Sequence, residues 1–135
     1  MDFITWNNSM SVNIISIDYQ HKKLIEEIND FYNNLFRKRS KEAISDIVYQ
    51  LKKYSIYHFQ TEEALMKKYG FNGFKEHRQE HQEFISKIDE IEKKLEVGKM
   101  VLTIEIANFL KDWLTNHVFN TDKKYSEFLN SNGVK

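Results

Sequence analysis

The chemistry available to this chain is concentrated in its histidines. There are five: His21, His58, His77, His81 and His117. Each falls on the apolar side of a helical repeat. His21 precedes Leu24, Ile25 and Ile28, and His58 follows Leu51, Tyr54 and Ser55. His77 and His81 lie between Phe74 and Phe84, while His117 follows Phe109, Leu110, Trp113 and Leu114. One histidine on such a face is more often a hydrogen-bonded core residue than a ligand. Five out of five, with none left for a polar face, is the pattern of imidazoles gathered out of water around a borderline transition metal.

The spacings sharpen this. His77 and His81 are four residues apart, so on a helix they point within about 40° of each other. His58 and Glu62 share that spacing, which turns a carboxylate inward. An unpaired buried Glu62 would cost several kcal/mol or take up a proton, and a cation removes that cost. Glu63 lies about 100° further round. It is expected to be solvated and to pair with Lys67 at i+4. Asp122 is five residues beyond His117 and would point about 140° away on a regular helix. Either the helix loosens between Val118 and Thr121 and Asp122 joins the site, or Asp122 is an ordinary helix-end residue. Five imidazoles with one or two carboxylates exceed the ligand set of one tetrahedral zinc. They suit two ions bridged by carboxylates, although ligand type alone does not select iron.

These side chains need elements that bring them to one place. The 135 residues are the length of one domain, 41% of them hydrophobic. Apolar periodicity predicts helices over roughly 18–37, 41–69, 74–96 and 101–119. Asp18 is the expected N-cap of the first. Gly70 and Gly98 are the expected stops of the second and third, and residues 37–41 form a polar junction. Residues 1–17 read as an extended arm offering Trp6, Val12, Ile14 and Ile15 to the bundle. A short tail, frayed from Asn130, ends the chain. Short connections force neighbouring helices to run antiparallel, so the expected fold is all-α: a single-domain, up-down-up-down four-helix bundle. In that topology the start of helix one, the end of two, the start of three and the end of four lie at the same end. All the histidines are there.

Composition excludes several alternatives. Twenty basic residues balance twenty acidic ones, so the basic excess of a general nucleic-acid binder is missing. There is no cysteine, which rules out disulfides and thiolate ligands. Met1 to Met10 lacks the basic-then-apolar pattern of a secretory signal. No apolar run approaches the ~18 residues that span a bilayer. The expected location is the cytoplasm, without nucleic-acid or membrane partners.

The motifs His21-Lys22-Lys23-Leu24, His58-Phe59-Gln60-Thr61-Glu62-Glu63, His77-x-x-x-His81 and His117-x-x-x-x-Asp122 resemble the ligand motifs of hemerythrins, in order and separation. Trp6, Ser11-Val12, Ile17-Asp18-x-Gln20, Leu65-Met66, Trp113-Leu114 and Asp122-Lys123-x-Tyr125 resemble the bacterial branch. The resemblance covers nearly the whole chain. It implies that His77, His81 and His117 hold one iron, and that His21 and His58 hold another with an open position. It also implies that Glu62 and Asp122 bridge the irons beside an oxo or hydroxo group, which requires an irregular helix before Asp122. Leu24, Phe59, Trp113, Leu114 and Val118 match the positions of an oxygen pocket, with Val118 slightly smaller than usual. The implied function is reversible dioxygen carriage, storage or delivery, the irons cycling between ferrous and ferric, rather than catalysis. Oxygen or redox sensing, or nitric oxide or peroxide chemistry, is the alternative at the same centre. An oxygen-consuming enzyme is a candidate delivery partner.

Overall fold

Apolar residues recurring every three and four positions commit most of the chain to helices, each with one face for a shared core. The structure is a computed structural model and describes residues 3–35, 41–97 and 104–135. Its helices are α1 (Ile15–Leu35), α2 (Lys41–Tyr69), α3 (Phe74–Glu96), α4 (Ile104–Asn116) and α5 (Asp122–Ser131). A single π turn, His117–Thr121, joins α4 to α5 and makes them one interrupted fourth helix. No strand occurs among the described residues. Helix α2 packs on α1 and α3, and α4 packs on α1, forming a four-helix bundle. The main core includes Ile28, Leu51, Phe84, Ile88, Ile91 and Leu110.

The α2–α3 turn is set by backbone chemistry. Gly70 adopts φ +73°, a left-handed conformation that costs glycine nothing. The Phe71 N–H then donates to the Met66 carbonyl at 2.9 Å and the Gly70 N–H to Lys67 at 3.2 Å. This is the paired closure that satisfies the last carbonyls of a helix. Helix α3 starts immediately beyond, at Phe74, so His77 and His81 face the end of α2 that carries His58 and Glu62.

Both ends of the chain differ from expectation. Helix α1 begins at Ile15, not near Asp18. Asp18 lies in its first turn and ties down the arm, its carboxylate accepting from the Val12 N–H at 2.9 Å and from the Ser11 hydroxyl. Lys123 donates to the Ser11 carbonyl from the other side. Asn29 fixes the arm further back, accepting from the Ile4 N–H at 2.8 Å and donating to its carbonyl at 2.9 Å. Met10, Val12 and Ile14 are buried, but Ile15 faces solvent. At the other end the helix continues to Ser131 instead of stopping at 119. Tyr125 and Leu129 explain why: they form a second buried cluster with Val12, Ile14, Ile17 and Met66. Asn130 is anchored too, donating to the Asn13 and Val134 carbonyls. The expectations at residues 37–40, Gly98 and Leu102 lie outside the described residues.

Candidate metal centre

Each helix delivers its share of the site to the same end of the bundle. His21 comes from α1, His58 and Glu62 from α2, His77 and His81 from α3, His117 from the π turn and Asp122 from the start of α5. All seven are buried. They form two overlapping groups that share the carboxylates. One contains Glu62, His77, His81, His117 and Asp122; the other contains His21, His58, Glu62 and Asp122. Within each group the candidate ligand atoms lie within 4.8 Å of one another.

Asp122 reaches the site because the helix loosens where the spacing required it. Its N–H donates to the His117 carbonyl five residues back, the π pattern. The extra residue in that ring turns Asp122 onto the face that His117 occupies. Its carboxylate then spans both groups. Oδ1 lies 3.0 Å from Nε2 of His77 and of His117, and Oδ2 lies 2.9 Å from Nε2 of His21. Glu62 Oε1 likewise faces both groups, 3.0 Å from His58 Nε2 and 3.3 Å from His81 Nε2. The Tyr125 hydroxyl donates to Glu62 Oε2 and fixes that carboxylate.

These separations suit cations. Two ligand atoms bound about 2.1 Å from one ion, at right angles, lie about 3.0 Å apart. The Nε2 atoms of His21, His58 and His77, Glu62 Oε1 and both Asp122 oxygens are buried without a hydrogen-bond partner among the described residues. Nε2 of His81 and of His117 stand 3.1 Å apart, facing each other. Their opposite nitrogens are engaged: His81 Nδ1 with Glu63 Oε2 at 2.8 Å, and His117 Nδ1 with Glu80 Oε1 at 3.1 Å. If both Nδ1 atoms donate, two lone pairs oppose across that gap, and only a cation or a proton makes this tolerable. The residues therefore fit metal ions.

Electrostatics lead to the same conclusion. Burial alone would lower His117, yet the Asp122 carboxylate, with help from Glu80, holds it up to about 10. His81 is raised as well, burial being outweighed by Glu62 and Glu63. Burial and the neighbouring Asp122 would raise Glu62, but His58 and His81 pull it below the ordinary carboxylate range. Asp122 is held well below its usual value by His117, His21 and His77, against its burial. At His58 burial outweighs the opposing Glu62 carboxylate, and the group is lowered. The buried carboxylates thus favour positive charge on the imidazoles around them, the same preference that a cation would satisfy.

Of the predicted pocket residues, Leu24, Phe59, Leu114 and Val118 are buried and Trp113 half-buried, all in one cluster. Phe59 stacks on the His81 ring at 3.9 Å and Trp113 on the His117 ring at 4.5 Å. Glu63 is a correction. Instead of a solvated partner for Lys67, it is a half-buried acceptor for His81, with Arg78 at 3.6 Å. It is swung inward because α3 crosses α2 here and presents His81 Nδ1, which needs an acceptor. Sequence reasoning missed three further residues. Gln20 Oε1 lies 2.7 Å from His58 Nδ1. Glu80 accepts from the Thr121 hydroxyl at 2.8 Å as well as meeting His117. Tyr125, like Gln20, is visible in the sequence only as part of the family resemblance. A signal existed, since a ligating imidazole needs a partner for its second nitrogen, and Gln20, Glu63 and Glu80 each adjoin a ligand in sequence.

Comparison with known proteins agrees with this geometry. Residues 13–129 match the family described as "Hemerythrin HHE cation binding domain". A bacteriohemerythrin of Pseudomonas aeruginosa is 32% identical, the match covering 93% of this chain and 80% of that protein. One from Methylococcus capsulatus is 28% identical over 97% of this chain and 100% of its own length. A myohemerythrin of Riftia pachyptila is 31% identical over 89% and 88%. A crystal structure of wild-type hemerythrin superposes with a TM-score of 0.88 at 27% identity, covering 94% of this chain and 98% of that one. With matches of this extent joined to a bundle whose four helices carry the ligand motifs, the chain belongs to the hemerythrin family.

Proposed function

We propose that the protein binds dioxygen reversibly at two non-haem iron ions, as a carrier or store rather than a catalyst. In this reading His77, His81 and His117 would hold one ion, and His21 and His58, with fewer imidazoles, would hold the other. Glu62 and Asp122 would be shared between the two. The observation that carries the reading is the sharing of both carboxylates between the two histidine groups, with Asp122 presenting one oxygen to each. Iron bound there would supply the redox chemistry, lending electrons to dioxygen on binding and taking them back on release.

The chain's own residues account for reversibility. Leu24, Leu114 and Val118, with Phe59 and Trp113, surround the site with apolar atoms and exclude water. Phe59 and Trp113 stack on two imidazoles and hold their planes. Tyr125 directs its proton to Glu62 and so fixes the orientation of a bridging carboxylate. The ligand set is rich in imidazole and poor in carboxylate, unlike the Glu-x-x-His sites of ferritin-like di-iron proteins. No described helix is long and apolar enough to cross a membrane, and composition favours the cytoplasm. An oxygen-consuming enzyme there is the kind of partner such a carrier would supply.

Metal analysis with optical spectra tests this. The expected result is two irons per chain and an oxygenated spectrum that bleaches on degassing. One zinc per chain, or prompt irreversible oxidation with peroxide release, would overturn the reading.

A further inference from the structure

The two ion positions differ most in what stands behind their imidazoles. On the three-histidine side, His81 Nδ1 meets the Glu63 carboxylate at 2.8 Å and His117 Nδ1 meets the Glu80 carboxylate at 3.1 Å. Thr121, inside the π turn, holds Glu80 by donating to both of its oxygens. On the two-histidine side no carboxylate among the described residues has this role. His58 Nδ1 meets the neutral amide oxygen of Gln20 at 2.7 Å, and His21 Nδ1 is buried without a hydrogen-bond partner among the described residues. A carboxylate behind an imidazole increases its basicity and fixes its ring, and losing such a partner typically costs about 10–100-fold in metal affinity.

We infer that Glu63 and Glu80 are positioning residues that make the three-histidine position the tighter of the two, so that iron leaves the Gln20-backed position first. The inference rests on the di-iron reading above. Ligand number already favours the three-histidine position, and the two carboxylates widen the gap. Their side chains are 22% and 34% exposed, so water screens part of their charge. The expected effect of each therefore lies near the lower end, about tenfold.

The experiment is iron release from the reduced holoprotein into excess ferrous chelator, followed by absorbance. Iron content is measured first. One metal per chain would sink the di-iron reading, and this inference with it. With two irons, release should occur in two equal phases. Glu80→Gln is the main variant, because an amide oxygen can still accept from His117 and Thr121 while the charge is gone. It should speed the slow phase about tenfold and leave the fast phase unchanged, and Glu63→Gln should do the same. The converse variant, Gln20→Glu, gives His58 a carboxylate and should slow the fast phase. A slower phase cannot come from a damaged fold. An unchanged slow phase in both Glu→Gln variants, or equal acceleration of both phases, overturns the inference.

Discussion

The two ends of this bundle are built on opposite principles. At the end remote from the ligands, Ile44, Val48, Ile88, Ile91, Leu95 and Ile106 are buried against one another. Burial itself stabilises that end, at roughly 25 cal/mol per Å² of apolar surface. At the ligand end five imidazoles and two carboxylates are buried. There burial is unfavourable until cations or protons arrive. The ligand end also holds the π turn and the docked arm, whose short 3-10 helix (Asn8–Met10) contacts that turn. One fold thus joins a self-sufficient half to a half whose buried charges call for cations.

Metal removal is the strongest way to separate them. Binding at preformed histidine and carboxylate sites is linked to folding and is worth on the order of 10 kcal/mol in structural zinc domains. Chelation should therefore abolish hydrogen-exchange protection in residues 117–125 while leaving that of 48–51 and 88–95 largely intact. Equal loss at both ends would show a single cooperative unit and end the comparison.

A matched pair of cavities comes next. Ile88 and Leu114 are both buried in the main core, one at each end. Truncating either to Ala should cost about 2–5 kcal/mol, measured by denaturant titration. Only Leu114→Ala should also speed autoxidation of the oxygenated protein, because water then reaches the site. If Ile88→Ala speeds it equally, general loosening rather than pocket sealing is responsible.

Much of this division was legible in the sequence. The histidines could be placed at one end because helical phase and chain order together determine level and face. The five-residue step from His117 to Asp122 left a loosened turn and an ordinary helix end both open, the family resemblance implied the former, and a π turn is what stands there. What was not legible depended on neighbours distant in sequence. Whether Glu63 faces water or His81 depends on where α3 crosses α2. The helix past residue 119 depends on Tyr125 and Leu129 meeting an arm more than a hundred residues earlier in the chain. Asp18 looked like an N-cap because an acid near a helix start usually is one. Here its acceptors serve the arm instead.

A smaller effect sharpens the ligand end. Tyr125→Phe removes the donor to Glu62 Oε2 while keeping the ring that fills the second cluster. Leaving that buried oxygen without its donor should cost about 1–3 kcal/mol. The carboxylate shared by the two histidine groups loses its fixed orientation, so the optical bands of the oxygenated protein should shift. A stability loss with unchanged bands would mean that the hydroxyl serves packing alone.

The smallest effect belongs to the remote end, where charge is confined to the surface. Lys52 of α2 reaches Asp89 at 2.6 Å and Glu92 at 2.9 Å on α3. The hydrogen bonds it donates to these carboxylates raise its pKa above 10.5, Asp89 contributing most. A cation whose folded pKa is raised contributes its stability in full below the unfolded value, and loses it as pH rises through the folded one. Lys52→Met should thus cost about 0.2–1 kcal/mol at neutral pH, less in high salt, and nothing in strong alkali. Solvent reaches and screens these half-buried charges, which is why this contact across α2 and α3 is worth so much less than the buried charges near His81, where the same two helices meet again. Iron content should be unaffected. If Lys52→Met loosened the irons, strain would be passing along α2 from one end to the other, and the two halves would not be energetically separate.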